Sequence, residues 1–239
     1  MDCPALEFFT EDRLEIVRQA FQGTPSCVLR QAWRKSPEAG FAPATVQVGW
    51  RDESLLVLAE LKDEDIFTKA RDFVKAGDPF ERFWELGDVF EMFLRPVNQH
   101  SYWEFHVTPN NRRAQLRFAS GEALRQLQKS GEFEKAVVGG KAFRSSVWLR
   151  PEEGRWIVFA EISATAVFEQ SRPLGGSEWA FSFSRYDYTR GHAEPVVSST
   201  SAHEAADFHV QAGWGRLRFL PKTAAAQKTF NFHEHKKQT

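Results

Sequence analysis

The chain has 239 residues, and its 31 basic and 32 acidic side chains nearly cancel to a net charge of −1. That balance leaves no basic excess with which to hold a nucleic-acid backbone or an anionic membrane surface. No apolar run reaches the length of a membrane span.

The amino terminus, Met1-Asp-Cys-Pro4, has neither the positive nor the apolar segment of a secretory leader. A cytoplasmic protein is expected, or an extracellular or periplasmic one if a leader has been removed. Cys3 and Cys27 fit no zinc or redox spacing and cannot define a disulfide framework, so reduced structural thiols are expected. Aromatic content is distinctive: 22 Phe and 8 Trp against 3 Tyr. Flat apolar side chains in that number suit a pleated core.

In chain order, Thr10-Glu-Asp-Arg-Leu14 reads as a helix start, with Thr10 as N-cap. Leu14, Val17 and Phe21 form its stripe and Gly23 its end. Strands follow. Val46, Val48 and Trp50 alternate with polar positions, Arg51-Asp-Glu-Ser54 turns the chain, and residues 55–61 return as a hairpin. Asp88-Val-Phe-Glu-Met-Phe-Leu94 places Val89, Glu91 and Phe93 on one face, and Asp88, Phe90, Met92 and Leu94 on the other. Residues 102–107 and 114–118 form the next hairpin across Pro109-Asn-Asn111. Residues 121–131 hold a short helix.

Further strands are expected at 143–149, 155–162, 178–188 and 214–220, and residues 188–207 are expected to form a long loop. The pattern predicts an all-β fold: a single antiparallel β-sandwich, jelly-roll-like or immunoglobulin-like, with a short N-terminal helix and one or two small helices in loops. The divisions are an N-terminal helical extension over 1–24, the sandwich over 25–222 and a polar tail over 223–239.

Glu91 is the residue that raises a functional question. A carboxylate among apolar neighbours costs free energy unless it finds donors or a ligand, and Trp84, just upstream, offers a flat face of the kind sugars and cations stack on. Two readings stand: a ligand site, or a core Trp with a Glu held in a salt bridge.

The order of four stretches resembles carbohydrate-binding module family 9 and its relatives, whose β-sandwich is shared with sugar-binding and heme-binding DOMON domains. These are the hairpin over 46–63, then Gly87-Asp88 with Glu91 and Phe93, then residues 102–109. The last comprises Trp179, Phe181, Phe183, Arg185 and Tyr186, followed by Asp207-Phe-His209 and residues 214–219. The resemblance implies non-covalent carbohydrate binding without catalysis, in trans beside a glycoside hydrolase or for a purpose of its own. A mono- or oligosaccharide would stack on Trp84 and be bonded by Glu91, with His106 and Ser184 or Arg185 completing the polar contacts. Only one of Ser184 and Arg185 can face the ligand, because adjacent strand residues point opposite ways. Arg185 also fits a buried ion pair with Asp187 or Glu161.

The second clamping Trp of the family is replaced here by Thr200, which leaves a one-sided platform or a domain that has lost its sugar. The resemblance implies no obligatory cofactor. Calcium stabilises some relatives, and Asp63-Glu-Asp65 offers hard oxygens in a turn. Some relatives ligate heme through Met and His, and Met92 is the only internal methionine, but the chain has no c-type attachment motif. The tail pair His233 and His235 could hold a metal adventitiously.

Overall fold

The computed structural model describes residues 1–11, 13–71, 80–139, 143–167 and 174–222. The tail over 223–239, with His233 and His235, lies outside them. Among the described residues, twelve strands form two sheets. They are β1 (Asp2–Cys3), β2 (Ser26–Val28), β3 (Ala44–Arg51), β4 (Ser54–Lys62), β5 (Val89–Pro96), β6 (Tyr102–Val107), β7 (Arg113–Phe118), β8 (Phe143–Arg150), β9 (Arg155–Ser163), β10 (Glu178–Asp187), β11 (Val196–Ser199) and β12 (Gly215–Phe219).

One sheet runs β1-β12-β10-β5-β6-β7, with β11 also paired to β10; the other runs β2-β3-β4-β9-β8. Every pairing is antiparallel except β1 with β12. The all-β sandwich expected from period-two patterning is the architecture found.

Alternation assigns each strand's two faces. Phe90, Met92 and Leu94 from β5, Trp103, Phe105 and Val107 from β6, and Trp179, Phe181 and Phe183 from β10 face the second sheet. They meet Val46, Val48, Val57, Ala59, Trp156 and Val158 there in one buried cluster. Each such side chain contributes ~1.5–3 kcal/mol on burial. Met92 lies wholly inside this layer, where it packs as an ordinary core residue.

The outer face of the second sheet is covered by α1 (Leu14–Ala20). Leu14, Val17 and Phe21 pack with Phe9 on Leu56, Leu58, Ile157 and Phe159. The expected stripe is present, but the cap differs. Arg13 occupies the N-cap position with no side-chain bond to the helix, so Thr10 lies outside it. The second helix, α2 (Gly121–Ser130), is capped by Ser120, whose side chain accepts from the Ala123 amide, and ends at Gly131 in the left-handed region. No helix among the described residues is long and apolar enough to cross a membrane.

The outer face of the first sheet carries Glu91, His106 and Ser184. It is overlaid by a 3-10 turn at Phe83–Glu85, by α2, by Phe133 and by a loop carrying Phe208, His209 and Trp214. Where a long loop was expected over 188–207, β11 intervenes, paired with β10 from Ser184 opposite Ser199 to Asp187 opposite Val196.

Candidate functional site

Trp84 is placed by a tight junction between its 3-10 turn and β5. Gly87 adopts φ +143°, and a side chain there would come within 2.5 Å of the Phe67 carbonyl oxygen and 2.6 Å of the Thr68 Cα. Only glycine lets the two backbones meet so closely. The Asp88 amide donates to the Phe67 carbonyl at 2.7 Å, and the Phe67 amide donates back to the Asp88 carboxylate at 2.5 Å. Tyr188 Oη donates to the Trp84 carbonyl at 2.7 Å, so the turn is held from two sides. The half-buried Trp84 ring meets His106 edge-on at 5.5 Å and 86°, and Phe133 at 5.4 Å and 70°.

Register brings the polar residues together. On β5, Glu91 lies opposite His106 of β6 and Ser184 of β10. Alternation along β6 adds Glu104 and Tyr102 to the same face as His106. His106 Nε2 bonds Glu104 Oε1 at 2.7 Å and lies 3.5 Å from Glu91 Oε1. All three residues are buried: Glu91 is 2% exposed, Glu104 3% and His106 0%. His209, from the covering loop, places Nδ1 4.0 Å from Glu104 Oε2 and shares a 3.0 Å hydrogen bond with Tyr102 Oη.

The two acids are not equivalent. Burial pushes Glu91 up to about 8, with His106 opposing the shift and Glu104 reinforcing it. Glu104 is also desolvated, but His209 and His106 outweigh that cost and hold it below the ordinary carboxylate range. His106 is pulled down by burial and, more strongly, up by Glu91 and Glu104, so it stays protonated more readily than a free imidazole. The result is a Glu104–His106 ion pair with Glu91 beside it. Among the described residues Glu91 has no other donor.

Sequence reasoning named Trp84, Glu91, His106, Ser184 and Arg185. The first four share the outer face. Ser184 is buried, and its hydroxyl donates to Ser199 Oγ at 3.2 Å. Arg185 is elsewhere, because adjacent strand residues point to opposite faces. It enters the inter-sheet space, where Nη2 meets Asp63 at 2.8 Å and Asp187 at 2.9 Å. Of the two partners expected for it, Asp187 is one; Glu161 pairs with Arg51 and Arg144 instead.

The same ion network bears on calcium. Asp63, Asp88 and Asp187 bring carboxylate oxygens within 4.8 Å of one another, but the Arg185 guanidinium is bonded to two of them. Asp65 pairs with Arg190. Calcium requires six to eight oxygens, and here a guanidinium stands where the cation would; these residues do not fit it. At the family's second clamp position, Thr200 Oγ1 accepts the Phe183 amide at 3.0 Å, and the Thr200 amide donates to the Phe183 carbonyl at 2.9 Å. The hydroxyl continues the pairing of β10 and β11 and offers no stacking surface.

Glu104 is not singled out by the sequence, and His209 stands out there only within Asp207-Phe-His209, which reads as a loop anchor; the structure brings both to this cluster. A concavity of about 600 Å³ lies at the β5–β6 turn, lined by Gln99, His100, Ser101, Arg117 and Ala119. It shares no residue with the cluster, whose polar groups and half-buried indole make it the better-founded candidate.

No family model matches the sequence, and no curated protein matches it. Solved structures do resemble it. A candidate carbohydrate-binding protein from Bacteroides uniformis superposes with a TM-score of 0.67 at 17% identity, over 92% of this chain and 98% of that one. A carbohydrate-binding module of family 9 from Caldicellulosiruptor kristjanssonii, solved with glucose, gives 0.62 at 13% identity over 94% and 97%. A family 9 module from the same organism, solved with cellotriose, gives 0.57 at 15% identity over 95% of each chain. The chain has the β-sandwich fold of the family 9 carbohydrate-binding modules.

Proposed function

We propose that this chain binds a mono- or oligosaccharide non-covalently at the outer face of the first sheet and catalyses no reaction. Trp84 supplies the stacking face, Glu91 accepts hydroxyl hydrogen bonds, His106 sits beside it, and Ser184 flanks it from β10. The observation that carries this reading is Glu91. It is a buried carboxyl, next to a half-buried indole, whose one donor among the described residues is His106 at 3.5 Å. A carboxyl so placed gains most from a guest that brings O–H groups of its own. The glucose and cellotriose in the family 9 neighbours support the choice of guest.

Thr200 favours a second reading, a domain that keeps the fold without the sugar, since its hydroxyl is engaged where an aromatic would close the clamp. Calorimetric titration against a panel of mono- and disaccharides separates the two. Saturable binding that Trp84→Ala weakens supports the sugar site. Silence across the panel, or binding indifferent to Trp84→Ala, leaves the second.

A further inference from the structure

We propose that Glu91, Glu104, His106 and His209 form a site for one divalent transition-metal ion, of the zinc or cobalt class. This goes beyond the sugar reading, though the two share Glu91 and His106.

Geometry comes first. Glu91, Glu104 and His106 each bring a ligand atom within 4.8 Å of the others, and all are buried. His106 Nε2 lies 2.7 Å from one carboxylate and 3.5 Å from the other. A tetrahedral ion with bonds of roughly 2.0–2.2 Å sets its ligand atoms about 3.3–3.6 Å apart, so small side-chain adjustments suffice for these three. His209, on the covering loop, lies outside that trio; its Nδ1, 4.0 Å from Glu104 Oε2, would join as a fourth ligand by exchanging its 3.0 Å bond to Tyr102 Oη for the ion. Two imidazoles and two carboxylates form a mixed nitrogen and oxygen set, which suits zinc or cobalt better than calcium.

Bonding capacity left unused is the second observation. Glu91 has no donor but His106 among the described residues, and Glu104 Oε2 is buried without a hydrogen-bond partner there. Charge is the third. Two carboxylates and two neutral imidazoles around a divalent ion sum to zero. Without the ion, the buried group carries a net negative charge or must take up protons to avoid it, and uncompensated buried charge is costly. On binding, the ion takes the imidazole lone pair and the carboxylate oxygens, and the displaced protons pass to solvent.

The test uses the full chain, stripped of metal, with Co²⁺ as the spectroscopic probe and Zn²⁺ as competitor. Expected are the intense visible bands of four-coordinate cobalt, saturating at a single ion per chain and displaced by zinc. Glu104→Gln and His209→Ala should each weaken binding by roughly tenfold or more, while joint replacement of His233 and His235 by Ala should leave it intact. Should Glu104→Gln fail to fold, His209→Ala carries the test, because that side chain is on a loop and 24% exposed. Absent bands overturn the proposal, as does binding that survives in both site variants or disappears with the tail histidines. Glucose titrated into chelator-treated protein tests the sugar reading separately, so either proposal can fail alone.

Discussion

Glu91→Gln removes one ionisable group while keeping its shape, and its effect depends on pH with a defined sign. Burial, opposed by His106 and reinforced by Glu104, pushes Glu91 from 4.5 up to about 8. In the unfolded chain the carboxyl ionises near its ordinary value. A folded value above the unfolded one means that the stability it contributes is fully present below about 4.5 and is lost as pH rises through about 8. At about 1.4 kcal/mol per unit, that interval sets an upper bound of about 5 kcal/mol. Relaxation around the ionised carboxylate lowers the figure, so a loss of a few kcal/mol is expected. The assay is urea denaturation of wild type and Glu91→Gln at several pH values from about 5 to about 9, with the slope of unfolding checked for constancy. The proteins should be similar at the acid end, and the variant more stable at the alkaline end. Buried acids remote from Glu91 cancel in the difference, whereas Glu104 and His106, which interact with it, contribute to the measured effect. Parallel stability profiles would refute the claim that Glu91 is a donor-poor buried carboxyl.

Trp84→Ala should reduce sugar affinity by about tenfold, the worth of one aromatic face at ~1.5 kcal/mol, as read by calorimetry with folding checked by circular dichroism. Gly87→Ala forces a Cβ against the Phe67–Thr68 backbone and should cost ~2 kcal/mol or more in thermal or chemical unfolding. Arg185→Ala leaves Asp63 and Asp187 buried without their partner and should destabilise by ~3–5 kcal/mol. If it folds, it should bind sugar as wild type does, because the residue faces the inter-sheet core. Sugar affinity should rise as pH rises through about 8, since hydroxyl donors favour the ionised form of Glu91; calorimetry at pH values on either side of 8 checks the sign.

Strand placement and face assignment were legible because each depends on a local period. Asp88-Val-Phe-Glu-Met-Phe-Leu94 alternates without interruption, so Glu91 and Met92 could be sent to opposite faces. The same rule separates Ser184 from Arg185, but chemistry decides which faces outward: Asp187, two residues along the same strand, and Asp63, after β4, hold the guanidinium between the sheets. Glu104 was within reach: Tyr102, Glu104 and His106 alternate with Trp103, Phe105 and Val107, so the same period that sends His106 outward sends Glu104 beside it. His209 stands out in Asp207-Phe-His209 as a loop anchor, but its place beside Glu104 is not legible, since no periodicity relates a covering loop to the strand beneath it. β11 was missed because four residues, Val196–Ser199, sit inside a run rich in Gly, Ser and charge. Thr10 was chosen as a cap by residue type alone, while the helix begins at Leu14, where its buried stripe first meets the sheet.

The sugar site is tested most directly by fluorine NMR of 5-fluorotryptophan-labelled protein titrated with cellotriose. With 8 Trp in the chain, the Trp84 signal is assigned as the one absent from Trp84→Phe. The account expects that resonance to shift and saturate with the sugar, while those of Trp156 and Trp179, buried between the sheets, hold still. A Trp84 resonance that stays fixed at saturating sugar would contradict it.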